Sequence, residues 1–171
     1  MAKKLLLVDT NVISHALMPN QTKAYSELFK ELEKEYRFAV TGYTKYELLC
    51  SSSKDKQQKI HEYIHNEMVL ISLSQTLMDF SARIYNLYKT HVSTKGKVIS
   101  VGDITNASVS IIKNCPIITI DNNDYPRPFF EDLSRKRVKY ISKKDREVTD
   151  TIYVLKPDMA NIKECFASYA V

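Results

Sequence analysis

The chain has 171 residues, of which 44% are hydrophobic and 26% charged, the make-up of an ordinary globular domain large enough to bury a full core. Its 25 Lys and Arg against 20 Asp and Glu leave a net charge of +5, which favours an anionic partner. Three widely spaced cysteines (Cys50, Cys115, Cys165) with no Cys-x-x-Cys argue against a disulfide framework or a zinc site, and 3 Gly with 5 Pro argue against long linkers.

After Lys3 and Lys4, residues 5–8 form an apolar run that ends at Asp9, too soon for the core of a signal peptide. No stretch approaches a membrane span, so a reduced, soluble, cytoplasmic protein is expected. The run suits a strand buried on both faces. Asp9, Thr10 and Asn11 then provide a sharp exit and the cap of a helix over 10–18, which Pro19-Asn20 stops. A helix over 22–36 follows, with Tyr25, Leu28, Leu32 and Tyr36 on one stripe.

Residues 38–41 predict a second strand, broken by Gly42 and followed by a helix over 43–51. In that helix Tyr43, Tyr46, Glu47 and Cys50 share one face. Glu47 is therefore expected within or beside a largely apolar stripe, where an unpaired carboxylate is costly. Next come a helix over 56–66, a short strand at 69–72 and a helix over 75–90 carrying Leu77, Phe80, Ile84 and Leu87. Lys95-Gly96-Lys97 marks a loop. A helix over 102–113, with Ile104, Ala107 and Ile111 in register, leads to a buried strand at 117–120 that ends at Asp121. Residues 121–128 are turn formers. The rest holds a basic run over 135–146, a strand at 152–155 and a short helix after Pro157. Alternating strands and helices predict an α/β fold with a mainly parallel sheet, whose ligands bind beyond the carboxyl ends of the strands.

Four acids fall where elements meet: Asp9, Glu47, Asp103 and Asp121. Each has an ordinary reading as well. Asp9 can cap its helix, Ser100-x-x-Asp103 is the pattern of a capping box, and Asp121 opens an Asp-Asn-Asn-Asp turn. Gathered together, they would be hard oxygen ligands for Mg²⁺ or Mn²⁺ held against phosphate. His15, His61, His65 and His91 are scattered, and His61 with His65 lacks the Glu of a zincin motif. That pair reads as helix surface.

The strings LLLVDTNVI, TGYTKYELL, DITNASV and IITIDNNDY, in this order and spacing, resemble the PIN-domain nucleases. The similarity is greatest to the VapC-type toxin ribonucleases of toxin–antitoxin pairs and covers roughly residues 4–125. It implies a three-layer sandwich with a central, mainly parallel sheet: a nuclease domain over 1–128, with 129–171 as a C-terminal extension packed on it. By position the family's catalytic and metal-binding acids fall on Asp9, Glu47, Asp103 and Asp121, with Asn11, Thr119 and Asp124 auxiliary. The implied activity is Mg²⁺- or Mn²⁺-dependent endonucleolytic cleavage of single-stranded or looped RNA, leaving 5′-phosphate and 3′-hydroxyl ends. The implied partners are an antitoxin protein and a second copy of the chain. The basic run over 135–146 is a candidate rim for RNA phosphates, and equally a solvated surface or hairpin. Two departures stand out. The chain continues well past the last acid, and Thr105 and Asn106 replace smaller or apolar residues of the family's helix.

Two other functions compete. LLLVDTN resembles the opening of haloacid-dehalogenase phosphatases, which use an Asp nucleophile, but those require an acid where Asn11 stands. A non-catalytic PIN-like module that binds RNA or protein is the second.

Overall fold

A computed structural model of the chain describes residues 3–94 and 96–169; Lys95 of the expected loop lies outside them. One six-stranded sheet runs in the order β3-β2-β1-β4-β6-β5. Its strands are β1 (Lys4–Val8), β2 (Tyr36–Thr41), β3 (Val69–Ile71), β4 (Ile117–Thr119), β5 (Phe130–Ile141) and β6 (Glu147–Pro157). β1 to β4 pair in parallel, whereas β6 is antiparallel to both β4 and β5.

The helices are α1 (Thr10–Ala16), α2 (Thr22–Leu32), α3 (Gly42–Cys50), α4 (Lys54–Glu67), α5 (Gln75–Thr90), α6 (Val101–Lys113) and α7 (Met159–Tyr169). They form a layer on each face of the sheet. Leu6, Val8, Phe38, Val40 and Ile118 point toward α1, α2 and α4, where Ile13, Leu28, Phe29 and Ile60 meet them. Leu7, Ala39 and Ile117 point the other way, onto Ile84, Leu87, Ile104 and Ala107 of α5 and α6. Burial on both faces explains why these strands read as unbroken apolar runs. The architecture is the expected three-layer α/β sandwich. Among the described residues no helix is long and apolar enough to cross a membrane.

Three expectations need correction. The helix over 22–36 stops at Leu32, and Tyr36 opens β2 instead. In α3 the buried residues are Thr44 and Leu48. In the stripe of Tyr43, Tyr46, Glu47 and Cys50, Tyr43 and Glu47 are half-buried while Tyr46 and Cys50 are exposed, so the stripe is not a buried apolar face around Glu47. The strand expected at 152–155 is far longer, β6 running from Glu147 to Pro157; the basic run takes the hairpin alternative, β5 pairing with β6 from Phe130↔Pro157 to Ile141↔Glu147.

Candidate active site

Parallel strands β1 and β4 end side by side, with Asp9 N donating to the Ile118 carbonyl at 3.0 Å. Asp9 and Asp121 therefore leave the same edge of the sheet. Asp9 is 3% exposed and both of its oxygens are bonded. Oδ1 accepts from Thr10 N at 2.7 Å and from Asn106 Nδ2 at 3.3 Å. Oδ2 accepts from Thr119 Oγ1 at 2.8 Å and from Asn11 Nδ2 at 2.9 Å. Asn11 also receives the Ile120 N–H on its Oδ1 at 3.2 Å, which fixes which end of its amide faces Asp9.

Asp103 caps its helix and also stands within the acidic group. The capping box at the start of α6 is complete: Asp103 Oδ2 accepts from Ser100 Oγ at 2.7 Å and from Ser100 N at 3.3 Å. The same first turn brings Asp103 to Asp9. One carboxylate oxygen from each of Asp9, Asp103 and Asp124 lies within 4.8 Å of the others. Asp124, given only an auxiliary place by the sequence, thus belongs to the tightest group of acids among the described residues.

Glu47 and Asp121 stand beside that triad. Glu47 Oε2 accepts from Thr10 Oγ1 at 2.6 Å, and its carboxylate covers the first turn of α6, where a Cβ at Gly102 would lie 2.8 Å from Oε1. Asp121 is exposed, and its Oδ1 accepts from Asn123 N and Nδ2, both at 2.9 Å. The Thr119 hydroxyl ties the turn to the site, accepting from Asp121 N at 3.1 Å while bonded to Asp9.

Burial and mutual repulsion set the carboxyls of the cluster against ionisation. Burial pushes the Asp9 carboxyl up to about 6, with the charges of Asp103 and Glu47 adding to the rise and the bond from Thr119 opposing it. Asp124 is pushed up to about 7, first by burial and then by the charges of Asp103, Asp121 and Asp9. Asp103 is also raised, mainly by burial and against its bonds from Ser100. Carboxyls raised together by burial and mutual repulsion are those a cation would relieve.

Asn106 is the residue whose part in the site went unread. It is 1% exposed, one turn beyond Asp103 on α6. Its Oδ1 accepts from Thr41 Oγ1 at 2.9 Å and Thr44 Oγ1 at 3.2 Å, while its Nδ2 reaches Asp9. It therefore joins the ends of β2 and α3 to the first acid. Its signal in the sequence was a polar residue within the apolar helix, three positions after Asp103. Asn106→Ala is expected to destabilise the metal-free protein by about 2–3 kcal/mol in urea unfolding, because buried hydroxyls and a carboxylate oxygen lose their partner together.

The layered α/β fold, with its acids gathered at the carboxyl edge of the sheet, is similar to that of the VapC-type PIN nucleases, and the resemblance read in the sequence is borne out. A curated relative, Ribonuclease VapC2 of Rickettsia felis, is 24% identical over 126 residues, spanning 72% of this chain and 91% of the relative. The fold is shared with a solved structure of VapBC2 from Rickettsia felis bound to a DNA fragment from their promoter (TM-score 0.59, 18% identity, 72% of this chain and 93% of that one). It is shared too with a toxin–antitoxin complex from Klebsiella pneumoniae (TM-score 0.56, 15% identity, 72% and 92%). No protein-family model matches the chain.

Proposed function

We propose that this protein is a divalent-metal-dependent endoribonuclease and the toxin of a toxin–antitoxin pair. The observation that carries this reading is the convergence of Asp9, Asp103 and Asp124 on one spot in a fold shared with the VapBC2 structure and the toxin–antitoxin complex. Their oxygens are hard donors suited to Mg²⁺ or Mn²⁺. Asp9, Asp103 and Asp124 would hold the ion, with Glu47 and Asp121 at its margin. Such an ion supplies Lewis acidity to the scissile phosphate and a more acidic bound water.

The residues of this chain do the positioning. Asn11, Thr119, Asn106 and the Thr10 N–H hold Asp9 in one orientation. Thr10 Oγ1 holds Glu47, which remains available to orient a water or accept its proton. Single-stranded or looped RNA is the substrate we infer, since its unstacked bases can enter a site that a duplex cannot. An antitoxin partner is supported by the complex from Klebsiella pneumoniae.

The phosphatase reading fares worse. The second acid that family requires is missing: Asn11 stands in its place, with its Nδ2 donating to Asp9. The direct test is incubation of end-labelled single-stranded RNA with the protein and Mg²⁺ or Mn²⁺. Internal cuts with 5′-phosphate and 3′-hydroxyl ends, abolished by EDTA, are expected. Intact RNA would remove the reading.

Gly102 offers a finer probe. A Cβ there would press on Glu47 Oε1 at 2.8 Å and Oε2 at 3.0 Å, and the end of a Glu side chain can swing aside at little cost to folding. Gly102→Ala is therefore expected to melt near the wild-type temperature yet cleave RNA at least about 10-fold more slowly, since small misplacements of catalytic groups are costly.

A further inference from the structure

The β5–β6 hairpin runs on past the edge of the sheet that carries the acids. β6 pairs with β4 only over Leu155, Val154 and Tyr153, the last opposite Thr119, where β4 ends. From Ile152 back to Glu147, β6 continues with Lys136 to Ile141 of β5 as its partners, an overhang of roughly 20 Å at about 3.3 Å per residue. Because β6 is antiparallel to β4, this overhang leaves from the carboxyl end of β4, beside Asp9 and Asp121.

The two faces of the overhang differ. One packs on the body: Val138 and Ile152 join the core under α1 and α2. On that face Tyr25 OH donates to Asp150 Oδ2 at 2.7 Å, Tyr140 OH donates to Oδ1 at 3.3 Å, and His15 Nδ1 lies 3.0 Å from Oδ2. These contacts hold the arm at a fixed angle. The other face presents Arg135, Arg137 and Lys139 opposite Tyr153, Thr151 and Thr149, and all three cations are exposed. Tyr153 packs against the core that contains α6, so this face looks to the side of the sheet where Asp103 stands. Arg135 lies over the Tyr153 ring, 5.3 Å from its centre. Asp132 engages Arg135 and Glu147 engages Lys139. Among the described residues Arg137 and the cations of the turn, Lys143, Lys144 and Arg146, form no ion pair.

We propose that this face of the overhanging hairpin is an arm that grips the RNA backbone next to the bond being cut. The proposal rests on the nuclease reading for its substrate class. Cations at alternate positions of a strand stand about 7 Å apart, close to the phosphate spacing of an extended single strand. The Thr149 and Thr151 hydroxyls add donors for phosphate or sugar. An acidic protein segment would match the charge, but the arm's place at the acid-bearing edge favours the nucleic acid.

Binding of a labelled single-stranded RNA, in EDTA so that nothing is cut, over a range of KCl concentrations tests this arm. With Arg135→Gln, Arg137→Gln and Lys139→Gln combined, affinity at low salt is expected to fall at least about 10-fold. The slope of log affinity against log salt should shrink by about 2, at roughly 0.7 per phosphate released from a single strand. Lys136→Gln, on the opposite face and bonded to Glu31, should leave the slope unchanged. If the triple variant fails to fold, Lys143→Gln, Lys144→Gln and Arg146→Gln in the turn carry the same expectation. An unchanged slope in a folded arm variant, or an equal loss in Lys136→Gln, overturns the proposal and leaves the face to an acidic protein. Arm-dependent binding without any cleavage by the wild type would sink the nuclease reading and keep the arm. Cleavage with arm-independent binding would do the reverse.

Discussion

Asp9→Asn is expected to lower the rate of RNA cleavage by on the order of 10³-fold while leaving a folded protein, because it removes a buried carboxylate that, in the proposed mechanism, would hold the ion and that lies at the centre of the hydrogen-bond network. The shape is conserved, so the core around Val8 and Ile118 is untouched. The loss is chemical: an amide offers one oxygen instead of two and no negative charge. Asn11 Nδ2 and Asn106 Nδ2 approach opposite oxygens of Asp9, so the new amide nitrogen must face a donor whichever way it turns. Single-turnover cleavage of labelled RNA, with circular dichroism to confirm folding, measures the effect. Cleavage by the variant at near wild-type rate would contradict the role given to Asp9.

The second large effect is a pH-dependent stabilisation by divalent metal. In the unfolded chain Asp9 ionises near its ordinary 3.8, whereas in the folded protein burial holds the proton until about 6. Below 3.8 both states carry the proton and the site costs nothing. As pH rises from 3.8 to about 6 the unfolded state alone gains charge, so the metal-free protein loses stability. Above that window the cost is constant at about 3 kcal/mol. Asp124, raised to about 7, carries the decline further up the scale, and Asp103 shifts the same way. A cation replaces the missing proton. Near pH 8, Mn²⁺ at about 100 times its dissociation constant should stabilise the protein by about 2.7 kcal/mol, a rise in melting temperature of roughly 5–10 °C for a domain of this size. Near pH 5 protons compete, and the shift should largely vanish. Differential scanning fluorimetry with and without Mn²⁺ at both pH values distinguishes this from a general salt effect, which would persist at low pH.

The parts of this fold that could be read in advance are those where burial leaves a pattern. β1 and β4 are covered on both faces, so Leu5, Leu6 and Leu7 and then Ile117 and Ile118 appear as runs, and each run ends in an acid at the carboxyl edge of the sheet. β5 left no such trace. It is the edge strand, its outward positions are Arg135, Arg137 and Lys139, and its inward ones include Lys136, which bonds to Glu31 of α2. A strand whose two faces both carry cations looks like a charge run until its partner is known. α3 misled for another reason: two tyrosines suggested an apolar stripe, but the helix turns Thr44 and Leu48 inward and leaves Tyr46 in solvent.

The site was legible in its residues more than in their arrangement. Asp9, Glu47, Asp103 and Asp121 do assemble around one edge. Within Asp-Asn-Asn-Asp, however, spacing alone does not tell which acid turns inward. Asn123 bonds to Asp121, and the turn then delivers Asp124 to Asp9 and Asp103. Asn106 escaped because its role depends on Thr41 and Thr44, which lie more than sixty positions away.

Calorimetric titration of Mn²⁺ into the metal-free protein near pH 8 tests the central claim most directly. Saturable binding in the wild type, lost in both Asp9→Asn and Asp103→Asn while each stays folded, is the result expected. Equal binding by all three proteins, or RNA cleavage by a wild type that takes up no divalent ion, would contradict it.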